Sequence, residues 1–290
     1  MDVIVFFNGL GNQMSQYAFF LRKKAINSST EYINICKEHN GLELNRIFNL
    51  NIKSTIKERL LFFIFKSLIV KKLKIFRFVM KNLRIKADII DENFNYSFRK
   101  EFLQPSEILS FYYGGWPSEK YFIDVKEQVV NAFIFPKFED AENLKCEGII
   151  KSNESVAIHI RRGDYLTAEN IELFGRVCTK EYFEKAISLI EQKIEDPHFY
   201  IFSNDIPWVQ ANLKFKKYTI IDFNSGKNSW KDMALMSKCK HNIISNSTFS
   251  WWGAYLNSNP GKIVISPSKY LNNDIKTDFY PENWTRLSDY

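Results

Sequence analysis

Residues 156–166 read Val-Ala-Ile-His-Ile-Arg-Arg-Gly-Asp-Tyr-Leu, and this stretch determines how the rest of the chain is interpreted. Its first part, Val156–Ile160, is short, mostly apolar and rich in β-branched residues, which is typical of a buried strand. The glycine that follows marks a turn, so the strand delivers Arg161 and Arg162 to its carboxyl end. In open α/β sheets ligands bind beyond these ends, and two adjacent guanidinium groups there favour a phosphate or carboxylate ligand. The alternative is a surface arginine pair bridged to Asp164, which would contribute little energy.

The second half of the chain repeats the pattern of a short apolar run followed by a helix. Because strands that alternate with helices form parallel sheets, this half predicts a doubly wound α/β domain. The predicted strands are 199–202, 218–221, 242–244 and 263–265, and the predicted helices are 179–194, 231–239 and 251–256.

The first half also opens with a strand, a turn and a helix. Val3–Phe7 predicts the strand and Met14–Ile26 the helix, but the turn lacks the third glycine of the dinucleotide-binding pattern. We expect this turn to expose Asn12 and Gln13, whose amides suit sugar hydroxyls or a nucleotide. The alternative is a plain turn in which Asn12 caps the helix. The other predicted elements of this half are strands at 31–36 and 108–113 and a helix from Ser118 to about Phe133.

The composition is that of a soluble globular protein with two domains of ordinary size. The chain has 290 residues, of which 45% are hydrophobic and 25% charged. Its four cysteines form no Cys-x-x-Cys pair, which argues against a zinc ribbon or a disulfide scaffold and favours reduced thiols. We place the domain boundary in the polar stretch 137–154, which gives an N-terminal domain 1–145 and a C-terminal domain 146–290.

The net charge of +7 comes from one segment, residues 53–86, which holds eleven Lys or Arg and a single acid. Its apolar runs are much shorter than the roughly 18 residues that a membrane-spanning helix needs. Such a basic insert predicts contact with an anionic membrane surface, and the alternative is a pair of helices that pack inward with solvated lysines. The N-terminus lacks the basic start and the apolar length of a signal peptide, so we expect a cytoplasmic protein, free or peripheral on the inner membrane.

Residues 245–250, Ser-Asn-Ser-Thr-Phe-Ser, form the second informative motif. A hydroxyl-rich loop between a strand and a helix presents donors to an anion, whereas simple helix capping needs only one hydroxyl. The loop lacks the glycines and lysine of a P-loop, which disfavours a nucleoside triphosphatase. The chain also has no Asp-x-Asp pair to hold a divalent metal on a nucleotide diphosphate. Arg161 and Arg162 would then supply that positive charge, and no metal site is predicted.

Four segments of the chain resemble, in this order, the motifs of glycosyltransferase family 11, the α-1,2-fucosyltransferases, in their bacterial form. They are 9–18, 118–122, 159–165 and 232–254. The match continues to the tail at 281–284 and is weakest between about 30 and 104. Ser15 stands where the family usually has Phe, and Pro117 where it usually has Gln. Both positions lie on the acceptor side, so the acceptor is the least determined part of the prediction.

The resemblance implies a GT-B-like fold of two Rossmann-like domains that face a cleft. The C-terminal domain would hold GDP-β-L-fucose and the N-terminal domain a terminal β-galactoside, which would receive fucose on its 2-hydroxyl, as in glycan or O-antigen biosynthesis. No cofactor is implied, because GDP-fucose is a substrate and no metal is required. The resemblance places Arg161 and Arg162 on the diphosphate, His159 and Asp232 on guanosine, Ser247, Thr248 and Ser250 on the phosphates, and Gly11, Asn12 and Gln13 on the donor sugar.

Hydrogen-bond donors fixed at the β-phosphate would stabilise the departing GDP more in the transition state than in the ground state. The attacking hydroxyl needs a proton acceptor or a strongly cationic fucosyl partner, and Asp164, Glu169 or no protein base are all open at this point. We expect Arg161, Arg162, Asp164 and Asn12 to form the catalytic group. The alternatives are an enzyme of this fold with another acceptor or nucleotide sugar, and a non-catalytic basic protein that binds a membrane surface or nucleic acid. Our prediction includes no nucleic-acid partner.

Overall fold

The computed structural model describes residues 1–69, 86–92, 96–273, 275 and 277–288. The chain divides into two compact units, Met1–Ile134 and Phe135–Tyr290, and each is built around a parallel sheet. The predicted fold class is therefore confirmed: both units are α/β, of the Rossmann-like, GT-B type.

The division between the units comes earlier than the predicted boundary at residues 145 and 146, which lies inside a helix, Ala141–Lys151. This helix is capped by Asp140, whose Oδ1 accepts the N–H of Asn143 at 2.9 Å. Its buried residues are Asn143, Cys146 and Ile150, while the apolar Leu144 and Ile149 are exposed. The sequence looked like a linker because a helix with so narrow a buried face has almost no apolar periodicity.

The N-terminal unit is a four-stranded sheet with helices packed against it. Its strands are β1 (Asp2–Phe6), β2 (Glu31–Asn34), β3 (Ala87–Glu92) and β4 (Leu109–Gly114). Its described helices are α1 (Leu10–Ile26), α2 (Leu44–Phe48), α3 (Ile56–Ile69) and α4 (Lys126–Ala132). The strand order is β2-β1-β4-β3 and every neighbouring pair is parallel, so all four carboxyl ends lie at one edge.

The central strand β1 is buried along its whole length because helices cover both faces of the sheet. Val3 and Val5 pack with Leu61 and Phe65 of α3, while Phe6, on the opposite face, contacts Phe20 of α1. A continuous apolar run is what this position in a parallel sheet requires, which explains why the strand was readable from the sequence.

The C-terminal unit is a six-stranded parallel sheet. Its strands are β5 (Ser155–Ile160), β6 (His198–Ser203), β7 (Tyr218–Ile221), β8 (His241–Ile243), β9 (Val264–Pro267) and β10 (Thr285–Leu287). Its helices are α5 (Ala141–Lys151), α6 (Lys180–Lys193), α7 (Ile206–Asn212), α8 (Trp230–Lys238) and α9 (Thr248–Tyr255). The strand order is β10-β9-β8-β5-β6-β7. The chain thus runs from β5 outward through β6 and β7, and then returns to build β8, β9 and β10 on the other side.

The predicted strands and helices of both halves are present to within a few residues, with the exception of one helix. The structure also contains elements that were not predicted. The edge strands β3 and β10 were missed because each is short or partly exposed and carries charged residues. The helix predicted from Ser118 to about Phe133 is instead two single turns, Glu119–Tyr121 and Ile123–Val125, followed by α4. The structure also adds two short helices, α2 and α7, that the sequence reading passed over.

The basic insert is described only in part. It contains α3, while residues 70–85, which carry most of its lysines and arginines, lie outside the described residues. The inward-packing alternative holds for the face of α3 that includes Leu61 and Phe65, which are buried against the sheet. Within the described residues, every helix is too short or too polar to span a lipid bilayer.

Candidate active site

Arg161 and Arg162 leave β5 at the topological switch point of the C-terminal sheet. β5 is fully buried between β8 and β6, and the direction of strand order reverses between β5 and β8. In open α/β sheets the connections on either side of such a point run to opposite faces, which leaves a crevice for a ligand. The structure therefore puts both arginines at the edge where a ligand is expected.

The guanidinium group of Arg161 is held by Asp164 in a two-point ion pair. Nε lies 2.8 Å from Oδ1, and Nη2 lies 2.9 Å from Oδ2. The backbone N–H of Arg161 donates to Ser245 Oγ at 3.1 Å, and that hydroxyl donates to the carbonyl of His159 at 2.7 Å. The side chains of Arg161 and Asp164 remain 33% and 47% exposed, so the ion pair directs the guanidinium without shielding it from a ligand.

Arg162 is oriented by the neighbouring strand β6 and the helix α7 that follows it. Its backbone N–H donates to Asn204 Oδ1 at 2.9 Å, its Nε donates to Asp205 Oδ2 at 3.0 Å, and its guanidinium carbon lies 3.9 Å from the ring centre of Trp208. Within the described part of the chain, its two terminal NH₂ groups donate to no protein acceptor. An anion would accept hydrogen bonds from these groups. The alternative of a surface arginine pair bridged to Asp164 is present in part, because Arg161 pairs with Asp164, whereas Arg162 pairs with Asp205. Anion binding by the two arginines stays a prediction.

The sequence reading missed the three residues that orient Arg162, which are Asn204, Asp205 and Trp208. A signal was present, because two of them follow β6 directly and the carboxyl ends of parallel strands share an edge. Gly163 also has a reason to be glycine: a Cβ there would lie 2.6 Å from Nδ2 of Asn204. A side chain at this position would displace the amide of Asn204, which accepts the backbone N–H of Arg162.

The hydroxyl-rich loop lies between β8 and α9 and so faces the same edge of the sheet. Ser247 caps α9, since its Oγ accepts the N–H of Phe249 at 3.3 Å. Ser250 is fully buried and donates to the carbonyls of Ser245 and Ser247 at 3.5 and 3.4 Å. These bonds give Ser250 a part in shaping the loop. Of the three predicted phosphate contacts, Ser247 and Thr248 are the two with a small exposed fraction, and direct contact with a phosphate stays a prediction for all three.

His159 presents a neutral imidazole beneath this edge. Its neighbours on β5, Ile158 and Ile160, belong to the apolar core, so the imidazole points to the opposite face of the sheet. Burial, reinforced by the charge on Arg161, lowers the pKa of His159 to about 3. Its Nδ1 is buried and has no hydrogen-bond partner among the described residues. A buried ring nitrogen without a partner is costly, which is consistent with a ligand group completing the bond.

Asp232 lies in the first turn of α8 and accepts a hydrogen bond from Asn224 Nδ2 at 2.8 Å. Burial, with a smaller contribution from the nearby Asp222, raises the pKa of Asp232 to about 7. Asn224 is in turn bonded to Asn143 through both side-chain amides, at 2.9 and 3.0 Å. No local pattern in the sequence indicates this amide network, because its members come from α5, the loop after β7 and α8.

In the N-terminal unit, the turn after β1 differs from the prediction. Gln13 is fully buried, and its amide bonds the carbonyls of Asn8 and Gly41 at 2.7 and 2.8 Å and the N–H of Glu43 at 2.9 Å. The expectation that the turn exposes Gln13 is therefore wrong. Asn12 is partly exposed, and the alternative that it caps α1 is also wrong, because the helix begins with Gly9 at its cap and no side-chain bond. Of the predicted donor-sugar contacts, Gly11 is buried in the first turn of α1.

Trp116, which the sequence reading did not single out, lies beside this turn at the end of β4. It adopts φ of 50°, which is unusual for a large side chain, and it is 2% exposed. Its indole Nε1 has no partner among the described residues. The adjacent Gly115 lies next to Asn12, because a Cβ on it would be 3.8 Å from Asn12 Oδ1. Strained backbone persists where function requires it, which makes Trp116 a candidate acceptor-side residue.

The described residues contain no group of three or more His, Cys, Asp or Glu side chains that could hold a metal ion. All four cysteines are free thiols, as predicted, and three of them are buried. The predicted absence of a metal requirement stays a prediction, which nucleotide binding in the presence of a chelator would test.

Two α/β units with parallel sheets, and anchored arginines with a hydroxyl-rich loop at the switch point of the second, agree with the class that the motifs suggested, a glycosyltransferase of the GT-B type. The chain belongs to glycosyltransferase family 11: the model of that family, described as "Glycosyl transferase family 11", matches residues 3–288. The resemblance noted from the motifs is thereby confirmed over nearly the whole chain.

Three relatives show how closely the chain matches known members. It is 30% identical to an alpha-1,2-colitosyltransferase of Escherichia coli, over 96% of both chains. It is 31% identical to the O-antigen biosynthesis glycosyltransferase WbnK of Escherichia coli, over 96% of this chain and 98% of that one. A galactoside alpha-(1,2)-fucosyltransferase 1 of Saimiri boliviensis boliviensis matches at 34% identity, over 35% of this chain and 28% of that one.

Proposed function

We propose that the protein is an inverting fucosyltransferase that moves L-fucose from GDP-β-L-fucose to the 2-hydroxyl of a terminal β-galactoside, without a divalent metal. The observation that supports this most is the pair of anchored guanidinium groups at the switch point, of which Arg162 keeps two free NH₂ groups. A leaving diphosphate gains negative charge as the bond to fucose breaks, and fixed cations stabilise that charge without reorganisation. The α-1,2 linkage has support from the names of two relatives, one of which matches along its whole length.

In this proposal other polar groups of the C-terminal unit bind the nucleotide. His159 and Asp232 contact guanosine, and the loop of Ser247 and Thr248 contacts the phosphates. The unpartnered Nδ1 of His159 supports the first assignment. On the N-terminal unit, Asn12 contacts the donor sugar, and Gln13 acts by holding the turn that carries Asn12.

Asp164 is better suited to positioning Arg161 than to deprotonating the acceptor. Both of its oxygens are bonded to the guanidinium group, at 2.8 and 2.9 Å. These two bonds fix the carboxylate against the guanidinium group, which is the geometry of a residue that orients an arginine. We therefore assign Asp164 a positioning role, and propose that the cationic character of the departing fucosyl group reduces the need for a protein base.

A second candidate donor has specific support from the whole-length relative named as a colitosyltransferase. Colitose is fucose without its 3-hydroxyl, so the two donors differ by one polar group. A site built to bond a hydroxyl rejects the analogue that lacks it by about 10⁴- to 10⁵-fold, whereas a site that ignores the hydroxyl accepts both. The ratio of the two kcat/KM values therefore identifies the donor.

The experiment is transfer to a β-galactoside from the GDP-linked forms of fucose and colitose, read by mass. Thermal unfolding with GDP, UDP or ADP in EDTA accompanies it, because a ligand that binds only the folded state raises the melting temperature. We expect a GDP-selective rise that survives EDTA and transfer of fucose. A preference for UDP or ADP, a rise that needs a metal, or transfer of colitose alone would contradict the proposal.

We also propose that α3 holds the enzyme on an anionic membrane surface, in the cytoplasm, where lipid-linked glycans are built. Ile56 and Leu60 lie one turn apart on this helix and are 89% and 59% exposed, and the same helix carries the exposed cations Arg59 and Lys66. Exposed apolar residues flanked by cations suit a negatively charged interface. Co-sedimentation with phosphatidylglycerol vesicles should be strong, weakened by salt, and lost in Ile56→Ser with Leu60→Ser. Binding that neither the substitutions nor salt weaken would contradict this.

A further inference from the structure

A cavity of about 230 Å³ lies in the N-terminal unit beside the carboxyl end of β2. Its walls come from β2, from residues 52–54 and from α3, all within the described part of that unit. Pockets for whole drug-sized ligands usually measure about 300 to 1,000 Å³, so this one is suited to a single ring. Tyr32 and Phe62 contribute aromatic surface to it. The apolar face of a sugar ring packs well on such surfaces.

Two cations and one carboxylate line the cavity, which leaves a positive charge in excess. Lys53 and Arg59 are exposed, and within the described residues neither pairs with a carboxylate. The recorded bond of the Arg59 side chain is a long one, from Nε to Ser54 Oγ at 3.4 Å. By contrast, Lys57 on the same helix pairs with Glu31 at 2.7 Å and does not line the cavity. The cavity therefore has an excess of positive charge that an anion would balance.

The acid of the cavity, Glu58, is hydrogen-bonded to two residues of the cavity wall. Its Oε1 accepts the N–H of Asn34 at 3.1 Å, and its Oε2 accepts the hydroxyl of Ser54 at 3.0 Å. The hydroxyl of Tyr32 accepts the N–H of Lys53 and donates to its carbonyl, both at 2.9 Å. These bonds fix the backbone that carries Lys53, so its side chain alone has to become ordered at that position when a ligand binds.

Hydrogen bonds connect the wall of the cavity to the turn that carries Asn12. Leu42 lines it, and Gln13 bonds the residues on either side of Leu42, the carbonyl of Gly41 and the N–H of Glu43, at 2.8 and 2.9 Å. The wall of the cavity and the turn assigned to the reacting sugars thus belong to one hydrogen-bonded assembly within the N-terminal unit. Both lie at the edge of the sheet where the carboxyl ends of β1 and β2 meet, so an acceptor bound at that turn has the cavity on the same edge.

We propose that this cavity is a subsite for an anionic sugar residue of the acceptor, recognised by Lys53 and Arg59. The inference rests on the proposed transfer to a saccharide acceptor and adds the class of its neighbouring residue. A carboxylate, as in a hexuronic acid, and a phosphate on a sugar ring share the recognised chemistry.

Three disaccharides with the same terminal β-galactose test the proposal. Their second ring carries at C6 either a hydroxymethyl group, a carboxylate or a phosphate ester. We expect at least one charged acceptor to have a KM about tenfold lower than the neutral one at similar kcat, since a charged hydrogen bond is worth about one factor of ten or more. The two charged arms separate carboxylate from phosphate. Lys53→Gln with Arg59→Gln should abolish the difference, and the matched Lys57→Gln should keep it.

Direct binding without donor, measured by saturation-transfer NMR on the same disaccharides, separates this inference from the proposed function. Transfer to all three acceptors with equal KM, in the wild type and the double variant, would overturn the subsite and leave the fucosyltransferase intact. Binding of a charged disaccharide that the double variant loses, with no transfer to any acceptor, would support the subsite and overturn the function. Lys53 and Arg59 are exposed, so unchanged melting temperatures are expected for the variants.

Discussion

The turns after β5 and after β1 both follow a buried strand of a parallel sheet, but they use their polar side chains differently. After β5, Arg161 and Arg162 gain protein partners and still keep donors for a ligand. After β1, the amide of Gln13 is bonded to three backbone groups, whereas Asn12 is partly exposed. The difference follows from charge: a neutral amide can be buried once its bonds are satisfied, whereas a guanidinium group is costly to remove from water and stays at the surface. A charged motif is therefore the safer sign of a binding site.

Removing either guanidinium group should produce the largest effect. We expect Arg161→Ala and Arg162→Ala to lower kcat by about 10²- to 10³-fold, because each removes a fixed donor from the charge that develops on the leaving diphosphate. Lysine at either position should restore only part of the activity, since it cannot bond two oxygens in one plane. Transfer of fucose, followed by mass, is the measurement.

Arg176→Ala is the matched control for these variants. This substitution also breaks an arginine ion pair in the C-terminal unit, between Arg176 and Glu172 at 2.7 Å. Unlike the pairs at the switch point, it is formed by two side chains that are each more than 60% exposed. Its activity and melting temperature should match the wild type. Single alanine variants of Arg161 and Arg162 that keep half of the wild-type rate would show that the switch point is not where the diphosphate binds.

Two variants of the adjacent amides Asn12 and Gln13 test the comparison of the two turns. Gln13→Ala should cost about 2–3 kcal/mol of folding stability, because it leaves buried backbone groups without partners. Asn12→Ala should leave the melting temperature unchanged and lower kcat. The two amides are adjacent in sequence, so each variant controls for the other. Equal melting temperatures for both would mean that Gln13 does not hold the turn.

The sequence was sufficient for the features that burial and charge dictate. The apolar run of β5 and the arginines after it were both read correctly, because a central parallel strand has no polar alternation and charge cannot be hidden inside it. Residues such as Asn204, Asp205 and Trp208 were not assigned, although they fix Arg162. Their role depends on β6 lying beside β5, which a local pattern does not reveal.

The N-terminal unit was harder to read for a related reason. Its candidate site depends on contacts between distant residues, such as Gln13 with Gly41, and on a left-handed backbone at Trp116 that no residue pattern announces. The cavity beside β2 likewise combines β2 with α3, which lie more than twenty residues apart. Neutral and aromatic residues also have good reasons to be in a core, so their presence predicts a site only once their partners are known.

A variant of Asp164 sharpens the comparison by separating orientation from proton transfer. Asp164→Asn keeps the shape of the carboxylate but weakens its hold on Arg161, so we expect kcat to fall about tenfold with little change in stability, since the pair is exposed. If Asp164 only positions Arg161, the pH dependence of kcat keeps its shape in the variant. Loss of the rise in kcat at the acidic side of that profile would instead identify Asp164 as the general base.

Asp232 combines features of both turns, because it carries a carboxyl group and yet is mostly removed from water. Its substitution should give the smallest effect, a change in how stability depends on pH. Its pKa is raised to about 7 from an ordinary value near 4, so the folded state binds a proton that the unfolded state has released between these values. Stability should therefore be fully present below about pH 4 and decline as pH rises towards 7. Thermal unfolding at pH 5 and pH 8 should show a larger decline for the wild type than for Asp232→Asn. An equal decline in both proteins would contradict the raised pKa.

The nucleotide should respond to Asp232 in the opposite direction. If Asp232 accepts hydrogen bonds from guanine, GDP binds the ionised form, and its affinity rises over the same pH interval in which the unliganded protein loses stability. Asn224→Ala removes the amide that favours ionisation and should move both changes to higher pH. GDP titrations from pH 5 to 8 on the wild type and this variant make the measurement. A GDP affinity that is flat with pH in the wild type would place Asp232 with Gln13, as a residue that supports the fold and not the ligand.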